Sequence, residues 1–345
     1  MKNVVAFGEV LLRLKAAGHE RLFQTQNMEA TFGGSEANVA AVLSQLGQST
    51  SFVTEVPSNP VGQAVVTDIR KYGIDTKFIV HKEGRLGIYF LEVGAGQRPS
   101  NVIYDRDNSC IANAELSDFD WNSVFNDSGW FHVSGITPAI SAKAKDVTLD
   151  GMKRAKDAGL TVSMDINYRS KLWKYGADAK EVLQEMVRNT DVLIANEEHI
   201  RKCLCVTVDG YDVTSEDLPD EYFIKLCKAT KEKFPGLKTI SLTRRRTYSS
   251  DINDFSAMLY DCTDEKFYVS RKYHLENIVD RVGAGDAFSG GLIYGLLNCS
   301  SGKEALEFAT ATGCLKHTIP GDVAILTKSD VENLMNSDGS GRIVR

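Results

Sequence analysis

The most informative segment of this chain, for its fold and for the chemistry that we predict, is Asp280-Arg281-Val282-Gly283-Ala284-Gly285-Asp286-Ala287-Phe288. It ends a polar stretch and opens an apolar helix predicted to run over residues 287–297. Two glycines beside a helix N-terminus allow backbone N–H groups to converge on one point, where the helix dipole adds positive potential. The segment therefore predicts an anion-binding turn at the start of a helix.

Asp286 follows this turn directly and places a carboxylate beside the predicted anion site. A bound anion would repel a carboxylate at this position, so a carboxylate is disfavoured there unless it has a function in the site. An anion cradle with an adjacent base suits phosphoryl transfer to a hydroxyl, because the cradle stabilises the phosphoryl charge while the carboxylate takes the proton. The alternative is that Asp286 only caps the helix, as aspartate often does.

Composition limits the classes of protein that the chain can belong to. With 345 residues, 43% of them apolar, it can build one large α/β domain or two smaller ones. The formal charge of −6 and the lack of a long basic run argue against nucleic acid or an anionic membrane as the main partner. No apolar stretch approaches the roughly 20 residues of a membrane span. Seven scattered cysteines favour reduced thiols and a cytoplasmic location.

Strand-like apolar runs alternate with segments of helical period along most of the chain. The predicted strands are 4–8, 51–56, 130–134, 161–166, 192–195, 239–243 and 256–260. The predicted helices are 36–46, 61–72, 145–158, 179–188, 221–233, 287–297 and 303–317. This alternation predicts an α/β fold with a mainly parallel sheet and helices on both faces.

Two regions, residues 11–32 and 77–111, contain strand-like pieces without helices between them. The clearest pieces are 87–93 and 101–105. We expect these regions to form a small β-sheet lid, which would exclude water from the site. Residues 1–335 are therefore predicted to form one domain, and the polar residues 336–345 a C-terminal tail.

Polar residues that follow the strands are candidates for the site, because ligands bind beyond the carboxyl ends of strands in open parallel sheets. Gly33-Gly34-Ser35-Glu36-Ala37-Asn38 precedes the first long helix. Its paired glycines permit close approach of a ligand, and Asn38 offers both a donor and an acceptor. The alternative is a plain loop with a serine cap.

Arginines and tyrosines supply a second set of candidates. Arg169, in Asp165-Ile166-Asn167-Tyr168-Arg169 after the strand at 161–166, can bind a carboxylate or a phosphate at two points. Tyr104 and Arg106 pair a ring with a second cation in the predicted lid, and Tyr89 lies on the other lid strand. The alternatives are an exposed charge for Arg169 and core packing for the tyrosines.

Two further polar runs follow predicted strands. Asn196-Glu197-Glu198-His199 could hold hydrated Mg²⁺, which prefers few direct carboxylate ligands, or could be ordinary acidic residues of a first helical turn. The run Arg244-Arg245-Arg246 after Thr243 could approach nucleotide phosphates or could form a solvated loop.

At these residues the chain resembles the ribokinase-like (PfkB) carbohydrate kinases. The early Gly33-Gly34 motif and the late Gly-Ala-Gly-Asp motif, about 250 residues apart, are that family's two signatures. Within the family the chain is most similar to the 2-keto-3-deoxygluconate kinases (2-dehydro-3-deoxygluconokinases). The segments that carry this similarity are 7–14, 87–92, 98–100, 103–106, 134–139 and 165–169.

The resemblance implies a transfer that depends on ATP and Mg²⁺, directed to the 6-hydroxyl of a keto-acid sugar. Asp286 would be the base, and backbone N–H groups around Gly283, Ala284 and Gly285 the anion hole. The remaining implied roles are substrate binding by Gly33, Gly34, Asn38, Tyr89, Tyr104, Arg106 and Arg169, ATP binding by Asn196, Thr243, Gly283, Gly285 and Gly313, and metal binding by Glu197. The family also implies a homodimer or higher oligomer joined through the lids, and sometimes a monovalent cation near the anion hole.

The chain departs from the family pattern in two places. The usual Asn-x-x-Glu motif has His199 at its fourth position, and Arg-Arg-Arg-Thr-Tyr replaces the usual Gly-x-x-Gly turn after Thr243. A neutral sugar needs no cationic clamp, whereas Arg106 and Arg169 fit an acid sugar. The alternatives are a kinase for another sugar, such as fructose or ribose, and a non-catalytic sensor of sugar acids.

Overall fold

A computed structural model describes residues 2–213 and 218–337. The strands are β1 (Asn3–Phe7), β2 (Leu11–Ala16), β3 (Met28–Gly33), β4 (Thr50–Pro57), β5 (Ile79–Lys82), β6 (Gly87–Glu92), β7 (Asn101–Asp105), β8 (Ser128–Ser134), β9 (Thr161–Asp165), β10 (Val192–Ala195), β11 (Thr239–Thr247), β12 (Asn253–Asp261), β13 (Lys266–Val269) and β14 (Tyr273–Leu275). The helices are α1 (Ser35–Gln45), α2 (Pro60–Arg70), α3 (Trp121–Phe125), α4 (Ala142–Asp157), α5 (Ala179–Arg188), α6 (Glu197–Leu204), α7 (Asp220–Lys233), α8 (Ala284–Asn298), α9 (Gly302–Lys316) and α10 (Lys328–Asn336).

The main sheet has the strand order β13-β12-β11-β10-β9-β8-β1-β4-β5, and β14 pairs with β12. Strands β5, β4, β1, β8, β9, β10 and β11 run parallel to their neighbours, whereas β12 is antiparallel to β11, β13 and β14. Parallel strands covered on both faces read as continuous apolar runs, as β10 (Val-Leu-Ile-Ala) does. The predicted α/β fold with a mainly parallel sheet is confirmed.

Alternate residues of the strands feed two separate cores, one on each face of the main sheet. On β1, Val5 and Phe7 pack with α3 to α7, whereas Val4 packs with α1, α8 and α9. On β10, Leu193 joins the first core, and Val192 and Ile194 join the second. Because successive side chains of a strand point to opposite faces, this division places helices on both sides of the sheet.

A second, four-stranded sheet has the order β3-β2-β6-β7. Strand β2 is antiparallel to β3 and parallel to β6, and β6 is antiparallel to β7. All four strands lie in the two predicted lid regions, except that β3 ends at Gly33, one residue beyond the first. Ile79–Lys82, which also falls inside residues 77–111, instead pairs with β4 at the edge of the main sheet.

Two elements next to the site extend beyond their predicted bounds. Helix α8 begins at Ala284 rather than at residue 287, because Gly283 adopts φ 82° and caps the helix one turn earlier. Strand β11 continues to Thr247, since β12 supplies pairing partners as far as Asn253. The three arginines at 244–246 therefore lie on a strand, and their interpretation as a solvated loop is wrong.

The remaining expectations concern the membrane and the C-terminus. Within residues 2–213 and 218–337, no helix is long and apolar enough to cross a bilayer. Most of the predicted tail, residues 338–345, lies outside the described residues.

Candidate active site

A cavity of about 800 Å³ opens where the carboxyl ends of β9, β10 and β11 face the small sheet. The small sheet contributes Leu11, Tyr89, Val102 and Tyr104 to its wall. Nearly all residues predicted from the sequence line this cavity: Gly33, Gly34, Asn38, Tyr89, Tyr104, Arg106, Arg169, Asn196, Glu197, Thr243, Gly283, Gly285 and Asp286. The chain thus brings its early and late motifs into one chamber.

The turn at 283–285 requires glycine for a reason that is visible in the structure. Gly283 has φ 82°, and a Cβ atom built on it would lie 1.9 Å from the carbonyl oxygen of Asp322. Beyond it, Gly285 is exposed to the cavity. The N–H of Ala284 donates to the carbonyl oxygen of Arg281 at 3.3 Å. Because the first N–H groups of a helix lack acceptors within the helix, those of Gly285 and Asp286 are the ones that an anion in the cavity could use.

Asp286 is held by two side chains from the start of α1. The hydroxyl of Ser35 donates a hydrogen bond to Oδ1 at 2.8 Å, and the amide Nδ2 of Asn38 donates to Oδ2 at 2.7 Å. Asn38 uses its acceptor as well, since its Oδ1 receives the N–H of Gly34 at 3.3 Å. The cap of α8 is Gly283, so the alternative that Asp286 merely caps this helix is excluded.

A further support comes from the end of β9. The side-chain amide of Asn167 donates to the Ser35 hydroxyl at 2.9 Å, and the backbone N–H of Asn167 donates to Oδ1 of Asp165 at 3.0 Å. Asn167 adopts φ 37°, in the left-handed region that asparagine tolerates better than most residues. The strained residue thus fixes the hydroxyl that in turn orients Asp286.

Three carboxyl groups around this point have raised pKa values. Burial raises the pKa of Asp286, against the opposing hydrogen bonds from Asn38 and Ser35; the group is reached by water but surrounded by protein at the base of the cavity. Burial and the neighbouring Asp286 raise the pKa of Asp165 to about 7. Burial likewise raises the pKa of Glu36 to about 7, although Ser134 and Thr137 donate hydrogen bonds to it. Asp286 is therefore a carboxyl group that accepts a proton more readily than an exposed aspartate does.

The paired glycines of the early motif accommodate protein groups as well as bordering the cavity. A Cβ atom on Gly34 would lie 2.0 Å from the carbonyl oxygen of Glu9, and one on Gly33 would lie 2.0 Å from the Asp322 carboxylate. The expectation that they permit close approach of a ligand remains a prediction. What the structure describes is close packing of two loops behind them.

The two cations predicted to clamp an acid differ in their surroundings. Arg106 is buried and binds Glu9, with its Nε 2.6 Å from the carboxylate, while its Nη1 has no partner among the described residues. Arg169 is exposed in the cavity and donates only to the backbone oxygen of Tyr168, at 3.0 Å, within the described ranges. Arg106 is thus largely neutralised, and Arg169 carries the available charge.

The tyrosines of the small sheet also have protein partners. The hydroxyl of Tyr89 bonds both oxygens of Asp322, at 2.6 and 2.7 Å. The ring of Tyr104 lies 5.6 Å from the guanidinium of Arg106 and faces the cavity. Tyr89 therefore fastens the small sheet to the loop behind the anion turn, and Tyr104 remains open to a ligand.

A second positive region lies on the β11 side of the cavity. Arg245 lines it without an ion pair among the described residues, and Arg281 donates to the backbone oxygen of Ser250 at 2.5 Å. Although water reaches Arg245, the protein walls around it and the nearby Arg281 and Arg169 lower its pKa to about 10. Unpaired cations that face one another in a cavity favour a polyanionic ligand.

The run that follows β10 forms the first turn of α6. Asn196 caps this helix by accepting the His199 N–H at 2.7 Å, and Glu197 lies 3.5 Å from Arg201. Burial lowers the pKa of His199 to about 4, so this side chain is neutral at physiological pH. The residue that stands in place of the family's glutamate therefore contributes no charge to the cavity.

The oxygen and nitrogen ligands that the cavity offers indicate whether Mg²⁺ fits this site. No group of three or more metal-ligating side chains occurs within the described part of the chain. Glu197 lines the cavity as a carboxylate, and Mg²⁺ commonly keeps several waters and binds through one or two carboxylates and the phosphates of its ligand. The site fits a hydrated ion that is held mainly by phosphates.

Two predicted residues lie away from the cavity wall. Ala284 is fully buried in the first turn of α8, and its N–H donates to the carbonyl oxygen of Arg281 at 3.3 Å. Gly313 lies within α9, where a Cβ atom would come 3.0 Å from the ring of Phe255. Phe255 itself lines the cavity, so Gly313 lies behind that ring, and its role in ATP binding stays a prediction.

Sequence reasoning missed several residues that organise the site. Ser35, Glu36, Asp165 and Asn167 all lie inside the motifs quoted above, but their partners are remote in sequence. Arg13 and Asp322 pair behind the anion turn, and although Arg13 lies in the quoted segment 7–14, no spacing in the sequence links it to Asp322. Only the position of Ser35 and Asn167 beside predicted strand ends could have indicated them.

Comparisons with known proteins agree with this geometry. The model of the pfkB family carbohydrate kinases matches residues 1–328. A 2-dehydro-3-deoxygalactonokinase of Haloferax volcanii is 31% identical over 98% of this chain and 98% of its own length. A 2-dehydro-3-deoxygluconokinase of Bacillus subtilis is 26% identical over 93% of this chain and 91% of its own.

A solved structure extends the likeness to three dimensions. The crystal structure of a 2-dehydro-3-deoxygluconokinase from Thermotoga maritima superimposes with a TM-score of 0.91 and 43% sequence identity, covering 98% of this chain and 100% of that one. With the cavity, the anion turn and the family match over residues 1–328 together, the chain is a carbohydrate kinase and belongs to the pfkB family.

Proposed function

We propose that this kinase transfers the γ-phosphoryl group of ATP to the 6-hydroxyl of 2-keto-3-deoxygluconate, giving 2-keto-3-deoxy-6-phosphogluconate, with Asp286 as general base. The observation that carries the proposal is the Asp286 carboxylate, held by Ser35 and Asn38 beside the glycine turn at the start of α8. A fixed acceptor and a cradle of N–H groups in one cavity are what phosphoryl transfer to a hydroxyl needs.

The proposed step balances with the groups that line the cavity. Asp286 accepts the proton of the 6-hydroxyl as that oxygen bonds to the γ-phosphorus, and the bond from phosphorus to the β–γ bridging oxygen breaks to release ADP. The N–H groups at the start of α8 stabilise the charge on the transferred phosphoryl group. Gly283 and Gly285 let the backbone approach it closely.

The acid class of the sugar is supported by Arg169, whose charge is not neutralised by a carboxylate within the described ranges. Gly33, Gly34, Asn38, Tyr89, Tyr104 and Arg106 complete the proposed sugar site, and Arg106 offers its unpartnered Nη1. Both relatives and the solved structure named above act, by their names, on 2-keto-3-deoxy sugar acids. These names divide between gluconate- and galactonate-derived acids, which differ at one hydroxyl.

ATP is assigned to the β10–β11 side of the cavity. Carbohydrate kinases of this family use ATP with Mg²⁺. Asn196, Thr243, Gly283 and Gly285 line this side, and Arg245 stands where the family has a glycine turn. We assign to Arg245 the contact with nucleotide phosphates that the turn would otherwise make through its backbone.

Bound Mg²⁺ would neutralise charge on the phosphates, and Glu197, which lines the cavity, is the protein group that would hold it. Glu197 also pairs with Arg201, so it would bind a metal only weakly. The small sheet acts as the proposed lid over this reaction. We also place the enzyme in the cytoplasm, as a homodimer or higher oligomer joined through its small sheets, which expose Ile103.

A substrate panel tests the proposed function. Release of ADP is measured with ATP and Mg²⁺ and with 2-keto-3-deoxygluconate, its galactonate-derived counterpart, fructose or ribose. We expect turnover confined to the keto acids, because only they place a carboxylate on Arg169. Equal turnover on a neutral sugar would contradict the acid specificity, and binding of the keto acid without turnover on any sugar would favour the sensor.

Asp286→Asn tests the base. The substitution keeps the side-chain volume but cannot accept the proton, so kcat should fall about 100- to 10,000-fold while both substrates still bind. Binding is measured by titration calorimetry and turnover by ADP release. The exposed Asp264→Asn serves as the matched control and should behave as the wild type; full activity in Asp286→Asn would refute the assignment.

Arg169→Ala and Arg245→Ala form a matched pair that separates the two halves of the cavity. Losing a charged hydrogen-bond donor costs about 1.5–3 kcal/mol, so each variant should raise one KM by about 10- to 100-fold. We expect the keto-acid KM to rise in Arg169→Ala and the ATP KM to rise in Arg245→Ala. The opposite pattern would show that the sugar and nucleotide sides are interchanged.

A further inference from the structure

A buried ammonium group lies directly behind the anion turn. Lys316, at the end of α9, is 0% exposed, and its Nζ donates to the backbone oxygens of Ile319 at 2.9 Å and of Asp280 at 3.2 Å. Asp280 opens the segment that leads into the glycine turn, and Ile319 opens the loop that leads to Asp322. A single positive charge therefore joins both chain segments that form the back of the turn.

The side chain of Asp280 continues this connection into the turn. Its Oδ1 accepts the N–H of Val282 at 3.0 Å, and its Oδ2 accepts the N–H of Gly321 at 3.2 Å. Arg13 of the small sheet binds both Asp280 and Asp322. Since the Asp322 carbonyl is in contact with Gly283, a shift of this network would move the turn itself.

The charges in the network cancel. Two buried cations, Arg13 and Lys316, lie near two buried carboxylates, Asp280 and Asp322. Arg13 pairs with both carboxylates, and Lys316 binds the backbone oxygen of Asp280. Uncompensated charge in a protein interior is costly, so a balanced set of four disfavours any additional ion. Backbone carbonyls are also the ligands that monovalent cations use, and here the Lys316 ammonium already occupies two of them.

The monovalent cation implied near the anion hole therefore does not fit this chain. We infer that Lys316 is a built-in cation, a positioning residue that holds the glycine turn through Asp280, so that the kinase needs no added K⁺ or Na⁺. The tests of this inference that measure turnover rest on the proposed function, whereas the test that measures thermal unfolding does not.

The first test uses the unmodified enzyme at pH 7, where Lys316 stays largely protonated because burial lowers its pKa only to about 8. Turnover is measured in KCl, in NaCl and in tetramethylammonium chloride at one ionic strength. We expect the three rates to agree within about twofold, since screening is then the same in all three. Activation of about tenfold by K⁺ or Na⁺ would overturn the inference.

The second test removes the ammonium. Lys316→Ala should lower kcat by about tenfold or more, because two buried carboxylates lose one of their cations. Ammonium or K⁺, but not tetramethylammonium, should then restore part of kcat by entering the vacated space. Lys328→Ala, an exposed lysine on α10, is the matched control and should respond to no cation. A Lys316→Ala enzyme with unchanged kcat in tetramethylammonium would overturn the inference.

Thermal midpoints give a readout that does not need turnover. Ammonium or K⁺ should raise the midpoint of Lys316→Ala above that in tetramethylammonium, and should leave the wild-type midpoint unchanged. A specific rise for the wild type would show an exchangeable cation site and would contradict the inference. If the wild type turned over none of the sugars, the proposed function would fail, but the thermal midpoints would still test the role of Lys316. If Lys316→Ala did not fold, the turnover and thermal midpoints of the wild type in the three salts would still test the inference.

Discussion

The hydrogen bonds that Ser35 and Asn38 donate to Asp286 are the contact on which the site depends. They join the start of α1 to the start of α8, across 248 residues in the case of Asn38. Each bond stabilises the charged form of a carboxylate that burial would otherwise neutralise. The result is a carboxylate that is oriented on both oxygens and retains a raised affinity for a proton, as the proposed base requires.

The same region is held from behind by charge. Arg13 and Tyr89 of the small sheet bind Asp322, and Lys316 and Arg13 bind Asp280, so the sheet that covers the cavity and the turn that cradles the anion share one network. Movement of the small sheet and the geometry of the turn are therefore coupled physically. Because buried charge pairs are costly to break, the network favours one arrangement of the turn.

Local patterns were sufficient for the fold class and for the position of most site residues. Alternating strand and helix periods located the parallel sheet, and the glycine turn located the start of α8 to within one turn. Strand β11 ran beyond its predicted end because its pairing with β12, a non-local interaction, decided its length. Arg106 was expected to help clamp an acid sugar, but Glu9, which no spacing links to it, neutralises most of its charge. Long-range partners of this kind cannot be read from spacing.

The departures at His199 and Arg245 are consistent with each other in charge. A neutral imidazole replaces a carboxylate, and an arginine replaces a glycine turn, so the β10–β11 side of the cavity is more positive than the family pattern. Such a cavity is suited to a polyphosphate held by side chains. The retained base and turn fit a working kinase, since a sensor needs neither.

The pH dependence of kcat/KM for the wild type and for Asn38→Ala tests the central contact most directly, with the exposed Asn122→Ala as control. In the wild type the acid limb should lie above the ordinary aspartate range of about 4, because burial raises the pKa of Asp286 and the protonated form cannot act as a base. Removing the Asn38 donor withdraws support from the charged form, so the limb should move to still higher pH. A limb in the ordinary aspartate range, or one at the same pH in both enzymes, would contradict the account.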